Sequence, residues 1–172
     1  SDYFSNKNVL ITGGLGFIGS NLAIRLVGLG ANVTLVDAML DNGGGNKFNV
    51  ESIKGRVRIN YSNIRDKSSL RHLVINQDII FHLAAQMSHT LGLKNPKPDL
   101  ENNIEGTISL LECCKEANNG LKVIYTGSRG QYGKVKSLPV KEYHGRSPLG
   151  SHEITKNAAE EYMFFYHRSF NT

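Results

Sequence analysis

The chain lacks the many cysteines that are typical of small disulfide-stabilised proteins. It contains only two cysteines, Cys113 and Cys114, among its 172 residues. Because the two are neighbours on a helical pattern, their side chains point in different directions and make poor disulfide partners. A chain of this length buries roughly 70% of the surface that its unfolded form exposes, so its core requires neither disulfides nor a structural metal. We expect reduced thiols and no metal site.

Long apolar runs are also missing. The longest, residues 33–36 and 79–85, fall far short of the roughly 20 residues that a membrane-spanning helix requires. Residues 1–8 contain no basic segment followed by an apolar stretch, so no secretory signal is predicted. We therefore expect no membrane contact and a cytoplasmic location.

Concentrated positive charge is absent, although the formal net charge is +5. Nucleic-acid-binding proteins usually gather lysine and arginine on one face or along one helix. The densest basic group here lies in a predicted loop and comprises Lys134, Lys136, Lys141 and Arg146. This pattern is typical of a solvated surface, and no nucleic-acid partner is expected.

Short β-branched runs alternate with longer amphipathic stretches, which predicts an α/β fold with a parallel sheet flanked by helices. The predicted strands are residues 8–12, 32–36, 57–61, 79–82 and 122–126. The predicted helices are residues 17–29, 67–75, 99–117 and 151–170. The glycine-rich segments 41–49 and 128–150 are predicted to be loops.

Three glycines separate the first predicted strand from the first predicted helix. Gly13 permits a tight turn, Gly16 lets the backbone approach a pyrophosphate, and Gly19 lets the helix pack closely on the sheet. Asp37 directly follows the second predicted strand, where a carboxylate can accept hydrogen bonds from an adenosine ribose. The combination predicts a Rossmann-like, doubly wound sheet that binds a dinucleotide.

The residues around Asp37 indicate which dinucleotide is bound. A carboxylate at this position repels the 2′-phosphate of NADP. The next residues, Ala38 and Met39, offer no positive charge that would offset the repulsion. The sequence therefore predicts NAD as the cofactor.

Four motifs carry more specific information. Residues 12–19 resemble a TGGxGFIG turn, and residues 63–66 resemble a D-x-R-D segment in which Asn63 replaces the leading acid. Residues 82–86 resemble an HxAA turn, and residues 103–107 resemble an NVxGT segment. In this order the motifs are similar to those of the extended short-chain dehydrogenase/reductase superfamily, in its nucleotide-sugar epimerase/dehydratase branch. The resemblance covers essentially the whole chain.

The resemblance implies a set of cofactor-binding residues. Asn63 would meet an adenine edge through its amide, and the small residues after His82 would let the cofactor lie against the backbone. Asn103 would support the active site from the following helix. The implied set is Gly13, Gly16, Phe17, Ile18, Gly19, Asp37, Asn63, Ile64, Leu83, Ala84, Ala85, Asn103, Thr126 and Lys156.

The catalytic residues of the family are a Ser or Thr after the fifth strand and a Tyr-xxx-Lys pair on the next helix. Residues 126–133 resemble the SSSxxVYG segment and align Ser128 with the catalytic hydroxyl. Residues 147–160 resemble the SPYxxSKxxxE segment, in which Lys156 matches the lysine. His152 stands four residues before it, where the family has tyrosine. Because residues i and i+4 share a helix face, His152 and Lys156 are predicted to face one site.

The histidine leaves three interpretations open. In the first, the protein is a working enzyme in which His152, or a loop residue such as Tyr132 or Tyr143, takes the proton from a sugar hydroxyl. In the second, it binds NAD without redox activity. In the third, a disabling or deliberate Tyr-to-His change has altered an ordinary member. The presence of Ser128 and Lys156 favours the first.

The resemblance implies an NAD-dependent nucleotide-sugar epimerase that works through a keto-sugar and a reversible hydride transfer. The 4,6-dehydratases of the family carry an acid pair where this chain has Arg129 and Gly130, which favours an epimerase. A dehydratase and an inactive NAD-binding protein are the alternatives.

Family members also extend for roughly another domain's length. We therefore expect residues 1–172 to form the NAD-binding domain, with the nucleotide-sugar-binding lobe absent from this chain. Helices that match residues 102–117 and 151–170 form a homodimer interface in the family. Tyr162, Phe165 and Tyr166 would suit that interface if they are exposed, and they could equally be core residues.

Overall fold

A parallel sheet forms the centre of the computed structural model, which describes residues 2–41, 43–117 and 120–171. Its five strands in these residues are β1 (Asn8–Thr12), β2 (Asn32–Val36), β3 (Val57–Asn60), β4 (Ile79–His82) and β5 (Lys122–Tyr125). They lie in the order β3-β2-β1-β4-β5, and every pair of neighbours is parallel. The strand order reverses beside β1, and open α/β sheets bind ligands in the crevice at such a point. The predicted fold class is confirmed.

Helices connect the strands and cover both faces of the sheet. They are α1 (Phe17–Gly28), α2 (Lys67–Leu73), α3 (His89–Lys94), α4 (Lys97–Asp99), α5 (Gly106–Ala117) and α6 (Ser151–Phe170). A π-helical segment, Leu100–Glu105, joins α4 to α5. Short 3-10 helices span Asp2–Phe4, Lys47–Ile53 and Arg129–Tyr132. Within these elements, no helix is long and apolar enough to cross a membrane.

Alternate side chains of β1 enter two separate cores. Val9 and Ile11 pack in the core that contains Leu26 of α1, while Leu10 packs in the core that contains Leu70 of α2 and Leu110 of α5. Because both faces of the strand are buried, its sequence is apolar throughout instead of alternating with polar residues. The buried central strands therefore fix the positions of the residues that follow their carboxyl ends.

Several strands and helices were predicted to be longer than they are. Strands β3 and β5 and helix α1 each end one residue earlier than predicted, and α2 ends two residues earlier. At the end of α1 the chain leaves the helix through Leu29 and then Gly30, whose φ of +82° suits glycine. The predicted helix 99–117 is interrupted by the π-helical segment and begins two residues earlier, at Lys97.

Helix α3 and the 3-10 helices were missed, and one of these, Arg129–Tyr132, lies inside the predicted loop 128–150. Helix α3 begins after Ser88, whose hydroxyl accepts a hydrogen bond from the amide of Leu91. The predicted loop 41–49 ends inside the 3-10 helix Lys47–Ile53, and its residue 42 lies outside the described residues. Of the three α6 aromatics considered for a dimer interface, Tyr166 is buried and its hydroxyl donates to Glu112, whereas Tyr162 and Phe165 are exposed.

Candidate active site

The turn after β1 is shaped by its glycines. Gly13 has a φ of +68°, and a Cβ atom there would lie 2.9 Å from the amide nitrogen of Ala84. A Cβ at Gly19 would overlap the carbonyl oxygen of Gly13, so α1 could not pack as closely on the turn. Both positions therefore require glycine, one for its backbone conformation and both for their lack of a side chain.

Gly16 caps the N-terminus of α1 and differs from these two glycines. The nearest protein atom to a Cβ at this position would be the carbonyl oxygen of Gly13, 3.3 Å away. No side chain caps the first turn of α1, whose residues Phe17 and Ile18 have exposed side chains. Uncapped amides at a helix N-terminus favour an anion such as a phosphate.

Asp37 follows β2 with its carboxylate already oriented. One oxygen accepts a hydrogen bond from the amide of Leu15 and the other from the amide of Met39, each at 3.0 Å. A Cβ at Gly45 would lie only 2.8 Å from the second oxygen. Two backbone donors and a glycine thus fix the carboxylate at the carboxyl edge of the sheet, and lone pairs remain for a ligand hydroxyl.

One cleft collects half of the predicted cofactor-binding residues. Among its lining residues are Gly13, Asp37, Asn63, Ile64, Leu83, Ala84 and Ala85. The predictions missed nine further lining residues, several of which directly adjoin predicted ones in sequence: Thr12, Val36, Ala38, Leu40, Gly43, Gly44, Gly45, Ser62 and Asn102. The other predicted residues, Gly16, Phe17, Ile18, Gly19, Asn103, Thr126 and Lys156, are not part of this lining.

The Asn63 side chain is partly engaged within its own loop. Its Oδ1 accepts hydrogen bonds from the backbone amide and from Nε of Arg65, at 2.9 and 3.3 Å. This arrangement fixes the plane of the carboxamide at the cleft, where its NH₂ group is the donor available to a ligand.

His82 is fully buried and belongs to a hydrogen-bonded chain. The Thr107 hydroxyl donates to the Asn103 carbonyl at 2.6 Å, so it accepts from His82 Nε2 at 2.9 Å. His82 Nδ1 then accepts from the Thr12 hydroxyl at 2.7 Å, and that hydroxyl accepts from the amides of Leu83 and Ala84. Burial, assisted by the charge of Lys156, lowers the pKa of His82 to about 3. The neutral ring therefore fixes the backbone of Leu83 and Ala84 at the cleft.

Asn103 contacts protein groups on two sides. Its Oδ1 accepts from the amide of Gln86 at 2.8 Å, and its Nδ2 donates to the Gln86 carbonyl and to the Thr155 hydroxyl. The residue is only 1% exposed. Asn103 thus joins the loop after β4 to α6, and this geometry supports a positioning role.

His152 lies in the first turn of α6 and is 7% exposed. Its Nδ1 is 2.8 Å from the carbonyl oxygen of Gln86. Because a carbonyl oxygen can only accept, Nδ1 carries the proton, and the lone pair of the neutral ring is on Nε2. The imidazole is therefore held in the tautomer that leaves Nε2 able to take a proton.

Lys156 lies one turn further along α6 and is almost completely buried. Its ammonium nitrogen is 4.0 Å from the centre of the Tyr125 ring. Burial lowers the pKa of Lys156 to about 8, against an opposing contribution from Glu160. The structure thus places His152 and Lys156 on successive turns of one helix, as predicted.

Ser128 begins the 3-10 helix Arg129–Tyr132. Its hydroxyl accepts from the amide of Gly130, and its own amide donates to the side chain of Gln131, which in turn donates to Glu160. Ser128 lines a cavity between β5 and α6 together with Arg129 and Tyr132, and neither His152 nor Lys156 lines that cavity. Nearby, the Thr126 hydroxyl donates to the His82 carbonyl at 3.3 Å.

Comparison with known proteins places this geometry among nucleotide-sugar enzymes. A family model described as GDP-mannose 4,6 dehydratase matches residues 10–172. CDP-paratose 2-epimerase of Salmonella typhi is 32% identical over an alignment that covers 94% of this chain and 53% of that protein. The chain spans about half the length of the curated relatives it matches.

Solved structures share the same architecture. A UDP-N-acetylglucosamine 4-epimerase of Methanobrevibacter ruminantium M1 superposes with a TM-score of 0.88 and 30% identity, over 97% of this chain and 52% of that one. A dTDP-glucose 4,6-dehydratase of Streptomyces venezuelae, solved with NAD bound, gives a TM-score of 0.89 and 26% identity, over 95% of this chain and 52% of that one. The chain therefore belongs to the GDP-mannose 4,6-dehydratase-like family of the extended short-chain dehydrogenase/reductase superfamily, whose relatives here are nucleotide-sugar epimerases and dehydratases.

Proposed function

We propose that this chain binds NAD at the carboxyl edge of its sheet and forms the cofactor-binding part of a nucleotide-sugar epimerase. The observation that carries the proposal is the cleft in which Gly13, Asp37, Asn63 and Ala84 meet beside the reversal of strand order. In this cleft the Asp37 carboxylate is oriented by two backbone amides before any ligand arrives. Such pre-orientation lowers the cost of binding a ribose.

Each part of NAD has a group of suitable chemistry. The uncapped first turn of α1 suits the pyrophosphate, the Asp37 carboxylate suits the adenosine ribose, and the Asn63 amide suits the adenine edge. Lys156 would hold the nicotinamide ribose from the first turns of α6. When bound, NAD would accept a hydride from a sugar carbon and later return it.

His152 supplies the acid–base group in this proposal. The carbonyl of Gln86 orients the ring through Nδ1, which leaves Nε2 to take the proton of the sugar hydroxyl and later to return it. The family resemblance assigns Ser128 a hydrogen bond to the same sugar oxygen, although in this structure Ser128 lines a cavity that neither His152 nor Lys156 lines.

Arg129 and Gly130 follow Ser128 where the dehydratases of the family have acids, and this difference favours epimerisation over dehydration. A second candidate function is NAD binding without turnover. The presence of His152, where the family has tyrosine, favours this candidate. The proposal also includes a nucleotide-sugar-binding lobe supplied outside residues 1–172. It further includes a homodimer through α5 and α6, where Tyr162 and Phe165 are exposed.

Calorimetry with NAD and NADP tests the cofactor part of the proposal. We expect NAD to bind more tightly, because the Asp37 carboxylate accepts from a ribose hydroxyl and repels a 2′-phosphate. In Asp37→Ala the NAD affinity should fall about tenfold, which corresponds to the loss of one charge-assisted hydrogen bond. The difference between the affinities for NAD and NADP should become smaller. Equal affinities in the unaltered chain would contradict the role of Asp37.

The acid–base part is tested by exchanging His152 in the longest native form of the protein. NAD reduction by a panel of nucleotide-sugars should be lost in His152→Phe, which cannot take a proton. Tight NAD binding without turnover in both proteins would instead support the second candidate. Higher activity in His152→Tyr would show that the histidine is a disabling change.

A further inference from the structure

Two side chains from separate elements meet beside His152. Nδ1 of His89, in α3, is 3.1 Å from Oε1 of Glu153, in α6. The His89 ring also contacts His152 edge-on, with ring centres 5.3 Å apart. The two groups lie within ion-pair distance, so the Glu153 carboxylate attracts the His89 ring to this position.

The space around Glu153 is kept free by two glycines. A Cβ at Gly130 would overlap Cγ of Glu153, and a Cβ at Gly150 would overlap its Oε2. Neither glycine has a positive φ, so what matters at both positions is the missing side chain. The Glu153 side chain is only 12% exposed, and its location in the first turn of α6 suits a negative charge.

The contact between His89 and Glu153 joins α3 to α6 close in sequence to Gln86. This residue lies three positions before His89, in the loop that leads into α3, and its carbonyl accepts from His152 Nδ1. The contact from α3 to α6 therefore lies beside the hydrogen bond between that carbonyl and the imidazole. Asn103 holds the same carbonyl from the other side, at 3.3 Å.

We propose that His89 and Glu153 are positioning residues that hold His152 in its Nδ1-protonated tautomer, with Nε2 as the acceptor. This inference rests on the acid–base role proposed for His152. In this arrangement His89 covers the edge of the imidazole, and Glu153 holds His89 in place. Neither residue touches the substrate or the cofactor in this account.

Nitrogen NMR of the histidine rings in the ¹⁵N-labelled chain tests the proposal without any measurement of activity. The His152 signals, assigned with His152→Gln, should show one dominant tautomer in the unaltered chain. In His89→Ala and Glu153→Ala we expect a mixture of tautomers, because His89 no longer lies against the edge of the His152 ring. His167→Ala, on the same helix but exposed, is the matched control and should leave the His152 signals unchanged.

Modification by diethyl pyrocarbonate gives an independent readout. His152 is the only histidine in the tryptic peptide 147–156, so its reaction can be followed by mass spectrometry. We expect the rate to rise several-fold in His89→Ala and less in His89→Phe, which keeps an aromatic ring over His152. If either variant fails to fold, Gly150→Ala displaces the Glu153 carboxylate without altering either residue, and should have the same effect.

Unchanged tautomer signals and unchanged reaction rates in the folded variants would overturn the proposal. The outcome is separate from that of the proposed function. A chain that failed to bind NAD in calorimetry would contradict the cofactor proposal, while the NMR result would still decide whether His89 and Glu153 position His152.

Discussion

The cofactor cleft and the first turn of α6 are built by different means. In the cleft the decisive contacts involve backbone atoms: Gly13 lies against Ala84, and the amides of Leu15 and Met39 hold Asp37. At α6 they run largely between side chains, such as the contact of His89 with Glu153. Even the bond from His152 to a backbone carbonyl depends on the side chain that makes it.

The two kinds of contact differ in the substitutions that they accept. A backbone contact tolerates few residue types, because any Cβ at Gly13 or Gly19 meets main-chain atoms that cannot move away. A side-chain contact can be replaced by another of similar chemistry, as imidazole stands here in place of phenol. The comparison therefore predicts large effects of substitution in the turn and selective effects near α6.

The largest effect is expected for Gly13→Ala. An alanine would have to adopt a φ of +68° and would press against the backbone of Ala84. We expect the free energy of unfolding to fall by about 2–4 kcal/mol and NAD binding to be lost. Denaturant unfolding and calorimetry measure both.

Gly28→Ala is the control for this substitution. No atom lies within 4 Å of a Cβ at Gly28, which ends α1, so the free energy of unfolding should rise by about 0.5 kcal/mol. A Gly13→Ala variant as stable as Gly28→Ala would show that the turn tolerates a side chain, and would contradict the role given to its backbone contacts.

The pH dependence of stability tests the buried chain of hydrogen bonds at His82. Its pKa is about 3 in the folded protein and 6.5 in the unfolded reference, so only the unfolded chain binds this proton between those values. The free energy of unfolding should therefore fall as the pH drops below 6.5, by up to about 1.4 kcal/mol per pH unit.

His82→Gln should flatten this slope between about pH 6.5 and pH 5, above the range in which carboxylates titrate. The same substitution at the exposed His72 is the control and should leave the slope in place. A slope that survives in His82→Gln would mean that His82 is not the group responsible.

Lys156→Met should change stability and NAD affinity in opposite directions. Burial lowers the pKa of Lys156, which means that its ammonium is destabilised in the fold. Methionine fills a similar volume without the charge, so the free energy of unfolding at pH 7 should rise by about 1–3 kcal/mol, while NAD affinity falls. A variant that binds NAD as tightly as the original would remove Lys156 from the cofactor site.

The smallest effect is expected for Asn63→Asp, which restores the acid of the family motif. A carboxylate accepts a hydrogen bond from an adenine amino group better than an amide whose oxygen already serves Arg65. NAD affinity should rise about twofold to threefold. A decrease would show that the amide group of Asn63 is the preferred partner of the adenine.

Sequence patterns predicted those parts of the fold that depend on backbone geometry and on the alternation of apolar residues. The five strands, the glycine turn and the position of Asp37 at the end of β2 were of this kind. Helix α3 was missed because it is short and its interior contains Gly92, which lowers helix propensity. Its start, at Ser88, is the one local signal that could have revealed it.

The surroundings of His152 could not be predicted for another reason. His89 and Glu153 lie far apart in sequence and come together only when α3 packs on α6. The role of Asn103 as a link between Gln86 and Thr155 depends on the same packing. Motif spacing identifies which residues occur, whereas these contacts depend on how separate elements dock.

Hydrogen exchange with and without NAD tests the central claim, that the cofactor occupies the cleft at the carboxyl edge of the sheet. NAD should slow exchange in three segments: the turn 13–19, the residues after β2 that include Asp37, and the residues 83–86 after β4. NADP at the same concentration should slow it less. Exchange that stays unchanged in all three segments while NAD is in excess would contradict the claim.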